Sequence, residues 1–209
     1  MGQKINPKGF RMGITLNWDS RWFAEKKDYA KYVVEDYKIR QLLSKKFEMA
    51  GLKKIDVERS TNEVNITVHV SKPGIVIGKG GIIVAAAKKD LEKITKSKIS
   101  ITAEEVKTPE IEAQLIAEFI GRQLKRRKPY RWVVNSAINT AMEKGAKGIR
   151  IKLSGLLGGG NSIGRTEMYS KGPVPTQTLR ANIDYAQYHC HMLYGAVGIK
   201  VWVYKGEFE

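Results

Sequence analysis

The 209-residue chain predicts an α+β protein in two parts, a three-stranded sheet with helices followed by an α/β unit of two helices on a four-stranded sheet. Three observations carry that reading. Apolar residues recur at helical spacing in some stretches and alternate at strand spacing in others. Thr108-Pro109-Glu110 interrupts the pattern like the start of a new unit, with Thr to cap a helix, Pro for its first turn and Glu for its positive end. The composition, 42% apolar with no low-complexity tract, is that of a chain that folds. The expected organisation is a basic arm over 1–17, a first unit over 18–107 and a second over 108–209.

The first eleven residues hold Lys4, Lys8 and Arg11, no acid, two glycines and Pro7, and read as an extended basic arm. From Asp28 to Ala50, Tyr29, Tyr32, Val33, Tyr37, Ile39, Leu42, Leu43 and Phe47 recur largely at helical spacing, and Gly51 stands where a C-cap belongs. Ile55 and Val57, then Val64, Ile66, Val68 and Val70, predict two strands joined by a hairpin at Thr61-Asn62. A short apolar turn, Gly74 to Ile77, runs into Gly78-Lys79-Gly80-Gly81; a helix follows to Ile94, then a strand with Ile99 and Ile101 inward. The second unit opens with helices over Pro109 to about Arg127 and Tyr130 to Lys144, broken at Lys128-Pro129. Strands return around Ile149–Leu153, Arg165–Tyr169, Ile183–Tyr194 and Ile199–Val203.

Charge narrows the function classes. There are 37 basic and 21 acidic residues, a net +16, and the excess is shared: residues 1–107 hold 22 and 13, the remainder 15 and 8. A polyanion touched by both halves is the expected partner. The apolar run Ile82–Ala87 is far shorter than the roughly 20 residues that cross a bilayer, no secretory signal pattern opens the chain, and Cys190 stands alone. A cytoplasmic context without membrane contact is the expectation.

Gly78-Lys79-Gly80-Gly81 is the sharpest motif. It fails the nucleotide P-loop spacing, and a dinucleotide fingerprint would need glycine where Ile83 stands. A GxxG clamp requires only small residues that bring backbone N–H groups to phosphates at a helix start, with a cation between them. A structural glycine turn is the alternative. Between Arg122 and Arg131 lie Arg122, Lys125, Arg126, Arg127, Lys128 and Arg131 with no acid, either a solvated helix face or a ridge for phosphates. The stretch Gly158-Gly159-Gly160-Asn161-Ser162-Ile163-Gly164 reads as a flexible hairpin tip. Trp202 and Tyr204 are placed opposite Ile199, Val201 and Val203, where they can stack on bases or serve a core. No catalytic cluster emerges: His69 falls on a polar strand face, His189 and His191 lack further ligands nearby, and Glu104 and Glu105 point opposite ways. No enzyme, cofactor or metal is expected.

Helix, strand, strand, helix, loop, helix, strand over about Lys27–Val106 resembles the type II KH domain, in which single-stranded nucleic acid is clamped at a GxxG loop beside an apolar groove. The whole chain resembles the bacterial-type family of small ribosomal subunit protein three. The matching residues are Gly2 to Pro7, Ile77 to Gly81, Gly145 to Ile149, Arg165-Thr166-Glu167, Thr178-Leu179-Arg180-Ala181, Ile183-Asp184-Tyr185 and Gly198 to Trp202. The resemblance implies a KH domain and a family-specific α/β domain in the small-subunit head. It further implies contact with small-subunit ribosomal RNA, neighbouring ribosomal proteins ten and fourteen, and a place lining the channel where messenger RNA enters. It assigns ribosomal RNA to Lys4, Lys8, Arg11, Gly78, Lys79, Gly80, Gly81, Arg150, Arg165 and Arg180, and messenger to Lys125, Arg126, Arg127, Lys128 and Arg131. Relatives often carry Arg-Arg and then Lys in that last segment, whereas this chain reads Arg131-Trp132 and then Asn135. A free-standing KH regulator of RNA is the rival reading; charge spread over both halves suits a large ribonucleoprotein better. No homo-oligomer is implied.

Overall fold

A computed structural model describes residues 4–60, 63–95, 97–158 and 163–208. The expected hairpin turn at Thr61-Asn62 and positions 159–162 of the glycine tip lie outside the described residues. The chain divides into two compact units, one of Trp18–Lys107 and one of Met1–Asn17 with Thr108–Glu209.

In the unit of Trp18–Lys107 the strands are β1 (Ser20–Arg21), β2 (Leu52–Arg59), β3 (Glu63–Val70) and β4 (Lys98–Glu105), in that spatial order. β2 and β3 are antiparallel; β4 runs parallel to β3 and the two-residue β1 parallel to β2. Three strands were expected, and β1 is the addition. Its sequence is too short for periodicity; side chains hold it there. Ser20 Oγ and Trp22 Nε1 donate to Asp36 Oδ2 at 3.2 and 2.8 Å, while Arg59 donates to Asp36 Oδ1 at 2.9 and 2.6 Å and to Glu35 at 2.8 Å. The helix α2 (Lys26–Lys46) therefore buries a carboxylate along with Ile39 and Leu43, and a buried charge is tolerable because it is paired and fully hydrogen-bonded. The amino-terminal half of this helix differs from the expected core stripe: Tyr29, Val33 and Tyr37 are exposed. Its apolar spacing continues beyond the part that reaches the sheet. Ile39, Leu43 and Phe47 close on Ile55, Val57, Val64, Ile66, Val68 and Ile99, with Val76, Ala87 and Leu91 from α3 (Pro73–Ile77) and α4 (Ile82–Glu92).

The other unit carries β5 (Gly148–Gly155), β6 (Arg165–Lys171), β7 (Ala181–Met192) and β8 (Gly195–Glu207) in the antiparallel order β6-β5-β8-β7. On one face lie α5 (Ala113–Lys125) and α6 (Tyr130–Glu143), whose Ile116, Ile120, Leu124, Val133, Val134 and Ile138 pack on Ile149, Ile151, Leu153, Ile199, Val201 and Val203. At Gly121 the helix lies directly on the sheet: a Cβ there would stand 2.4 Å from the Tyr188 ring, and Cys190 Sγ donates to the Gly121 carbonyl at 3.3 Å.

The extended basic arm is corrected. Asn6 caps a short helix, α1 (Pro7–Arg11), by accepting from the Lys8 and Gly9 N–H groups at 2.9 and 3.4 Å. Arg11 is fully buried, donating to the carbonyls of Ala181 at 2.8 Å, Thr176 at 3.1 Å, Thr178 at 2.7 Å and Pro7 at 3.1 Å.

Candidate nucleic-acid interface

The GxxG loop is built by backbone that only glycine adopts cheaply. Gly78, Gly80 and Gly81 have φ of 70°, 63° and 78°, and a Cβ on Gly78 would lie 2.7 Å from Ile83 Cγ1. The turn seats exposed Lys79 at its tip, between α3 and the start of α4. Val76 is buried beneath it, whereas Ile75, Ile77, Ile82 and Ile83 remain exposed around it. Between α4 and the edge strand β4 lies a cleft of about 420 Å³ whose floor of Val84, Ile99 and Ile101 is rimmed by Glu63, Asn65, Lys88, Lys98 and Ser100. The helix α4 thus carries the glycine turn with its cation at its start and, along its length, one wall of a cleft with lysines on its rim, features that suit the phosphates and bases of a single strand.

The ridge follows from how α5 stops. The Arg127 N–H donates to the Leu124 carbonyl at 2.8 Å and the Lys128 N–H to Gln123 at 3.2 Å, a Schellman closure, with Pro129 preventing continuation. Lys125, Arg126, Arg127, Lys128 and Arg131 are all exposed. Lys128 Nζ stands 5.2 Å over the exposed Trp132 ring, a cation–π contact. Sequence reasoning missed the carboxylate behind the ridge. Arg131 Nε donates to Tyr130 Oη at 3.2 Å, which donates to Glu167 Oε1 at 3.0 Å; Tyr169 Oη donates to Glu167 Oε2 at 2.7 Å, and Arg165 lies 3.7 Å from the same group. Hydrogen bonding from Tyr169, then from Tyr130, with Arg131 and Arg165 nearby, holds the Glu167 carboxyl below the usual range against the opposing effect of burial. Glu167 and Tyr169 share one face of β6, but Tyr130 reaches them only where α6 packs on the sheet, so no sequence spacing announces the whole cluster.

The remaining expected contacts fall apart spatially. Lys4 is exposed, Lys8 pairs with Asp184 at 3.4 Å, and exposed Arg180 pairs with Glu207 at 3.4 Å. Arg11 is removed from the interface, because four carbonyls take its donors and no ligand reaches it. Arg150 points away from α5 and α6. Tyr204 is buried with Val174, Ala181 and Ile183 and does not offer a stacking face; Trp202 is half-buried beside it. His69 bridges Asp56 at 3.1 Å and Glu104 at 3.3 Å, and among the described residues no three His, Cys, Asp or Glu converge as a metal site. No helix among them is long and apolar enough to cross a membrane.

A GxxG turn between two helices packed on the sheet of β2, β3 and β4 marks a KH-type RNA-binding module, and residues 38–111 match the model of the KH domain. Residues 120–203 match the model described as ribosomal protein S3, C-terminal domain. Similar chains include the small ribosomal subunit protein uS3 of Caldicellulosiruptor bescii, 50% identical over 99% of this chain and 93% of the relative. That of Desulforamulus reducens is 48% identical over 99% and 93%, and that of Alkaliphilus metalliredigens 49% identical over 99% and 88%. The chain belongs to the uS3 family of small ribosomal subunit proteins.

Proposed function

We propose that the protein is a structural, non-enzymatic RNA-binding component of the small-subunit head in the cytoplasm, anchored on small-subunit ribosomal RNA, and that its ridge meets messenger RNA where it enters the subunit. Ribosomal proteins ten and fourteen are the neighbours that the family resemblance implies. The observation that carries the messenger reading is the exposed cation series Lys125, Arg126, Arg127, Lys128 and Arg131 at the end of α5 and start of α6. Arg131 reaches Glu167 only through the Tyr130 hydroxyl and Lys128 lies over the Trp132 ring, so neither is consumed in a salt bridge across the core.

The test replaces Arg126, Arg127 and Arg131 with Ala together. The variant should still sediment with small subunits after a high-salt wash, which a free-standing regulator would not do. Messenger binding by those subunits should weaken, with the slope of log affinity against log salt flattening by about two to three units. Translation through hairpins should slow. Trp132→Arg in the parent should move both quantities the other way. Subunits with the parent slope and the parent rate through hairpins would remove the ridge from this role.

A further inference from the structure

The second sheet has a face that neither the ridge nor the GxxG loop accounts for. α5 and α6 cover one side; on the other, beside the small buried cluster of Val174, Ala181, Ile183 and Tyr204 on which Trp202 packs, register aligns two rows across the strands. Arg150 of β5 stands opposite Trp202 of β8, which stands opposite Tyr185 of β7. In the adjoining row Lys152 of β5 stands opposite Lys200 of β8, which stands opposite Gln187 on the edge strand β7. Three features of these rows are costly for a face that only has to be solvated.

Lys152 and Lys200 are directly paired like charges on the two central strands, an arrangement that destabilises a sheet. Neither they nor Arg150 has an ion-pair partner among the described residues, and Arg150 Nε is buried without a hydrogen-bond acceptor. The acids that might relieve them are turned elsewhere. Glu167 and Asp184 point to the helix side, bonded to Tyr130 of α6 and the Ala113 N–H of α5, and Glu207 sits at the far end of β8 with Arg180. Finally, Trp202 and Tyr185 form an aromatic pair, centroids 5.2 Å apart and tilted 44°, on the same side as the cations.

Cations without counter-ions call for an anion, and flat aromatic rings set among them call for something planar to stack. We infer that this open sheet face is a second RNA site, taking unpaired nucleotides: phosphates on Arg150, Lys152 and Lys200, and bases against Trp202 and Tyr185. Four-stranded sheets with exposed aromatics use that combination for single strands. An acidic protein surface would satisfy the lysines but has less use for the aromatic pair. The inference rests on the RNA-binding reading above and assigns to it a surface separate from the messenger ridge and the GxxG loop.

Full-length chain is titrated with an unstructured oligoribonucleotide of about 12 nucleotides and with an RNA hairpin duplex, across a salt series. Lys152→Ala combined with Lys200→Ala should weaken binding of the single strand about 10-fold near 0.1 M salt and flatten its salt slope by about one to two units. The thermal midpoint of that variant should hold or rise, since the like-charge pair is gone. Lys200→Glu, which sets a carboxylate opposite Lys152, should raise the midpoint further and weaken RNA more. Ultraviolet cross-links should map to Trp202 or Tyr185 in the parent and fade in both variants. A parent that binds RNA, with variants matching its affinity and slope, overturns the assignment of this face and leaves the RNA-binding reading standing. Unchanged RNA binding with loss of a protein neighbour from washed subunits gives the face to an acidic protein instead, and also overturns it. A parent that binds neither RNA overturns both readings.

Discussion

Arg127 has φ of 59°, and it is the one non-glycine residue in that region among those described. It occupies the position after the C-cap of α5, where a helix closing with the hydrogen bonds seen here ordinarily has glycine. An L side chain there costs about 1 kcal/mol. Nothing in the packing repays that strain, because the side chain is exposed. A cation retained at a glycine position points to use outside the fold. Arg127→Gly should accordingly raise unfolding free energy by about 1 kcal/mol in denaturant titration. The same substitution should reduce the salt slope of messenger binding by about one unit. Equal stability of the two proteins would show that the backbone is unstrained.

At the scale of an element, α5 shows how a helix start can depend on a residue far along the chain. Thr108 was the expected cap, but residues 109–111 form a separate 3₁₀ turn and α5 begins at Ala113. Its first N–H donates to Asp184 Oδ2 of β7 at 2.8 Å. Burial pushes the Asp184 carboxyl up, and the nearby Lys8 and Lys205, with the Ala113 N–H, outweigh burial and hold it below the ordinary value. A carboxyl depressed in the folded state adds stability that is complete above its unfolded value near 4 and disappears as the pH falls through the folded value. Asp184→Asn should therefore lower stability by about 1 kcal/mol at neutral pH. The gap between variant and parent should close below about pH 4 in acid-unfolding curves. A gap that persists at pH 2 would mean the residue acts through shape alone. Lys8, expected on RNA, contributes here to the cap of a helix.

Across the whole molecule, the amino-terminal segment folds with the carboxy-terminal half, although the Trp18–Lys107 unit intervenes in sequence. Arg11 is the tie. Among the described residues this buried cation has no carboxylate partner and is met by carbonyl dipoles from residues 176–181 and Pro7, and burial pulls its pKa below the usual arginine value. Removing it leaves those carbonyls without donors, which costs about 1–3 kcal/mol per unsatisfied group. Arg11→Met should lower stability by about 2–4 kcal/mol. Amide exchange should accelerate around 174–183 while the amides of β2 and β3 keep their protection. The variant should keep the parent's RNA salt slope; a flattened slope would return Arg11 to the RNA.

Much of the architecture was legible because period and punctuation are local. The alternation in Val64–Val70, the helical spacing in Ala113–Leu124 and the glycines at 78, 80 and 81 each specify a backbone shape through nearest neighbours, and the basic series at 125–131 is contiguous in the chain. The family likewise followed from short motifs that need no folding to be read. Tertiary structure alone decided which charges remain available. Arg11 and Lys8 look like any basic residues in the sequence, yet one is sealed among carbonyls and the other faces Asp184. Glu167 gained the Tyr130 hydroxyl through the packing of α6 on the sheet, and Lys152 met Lys200 through strand register. The physical reason is that electrostatic partners are set by distance in space, and a sheet brings together residues tens of positions apart that no periodicity connects.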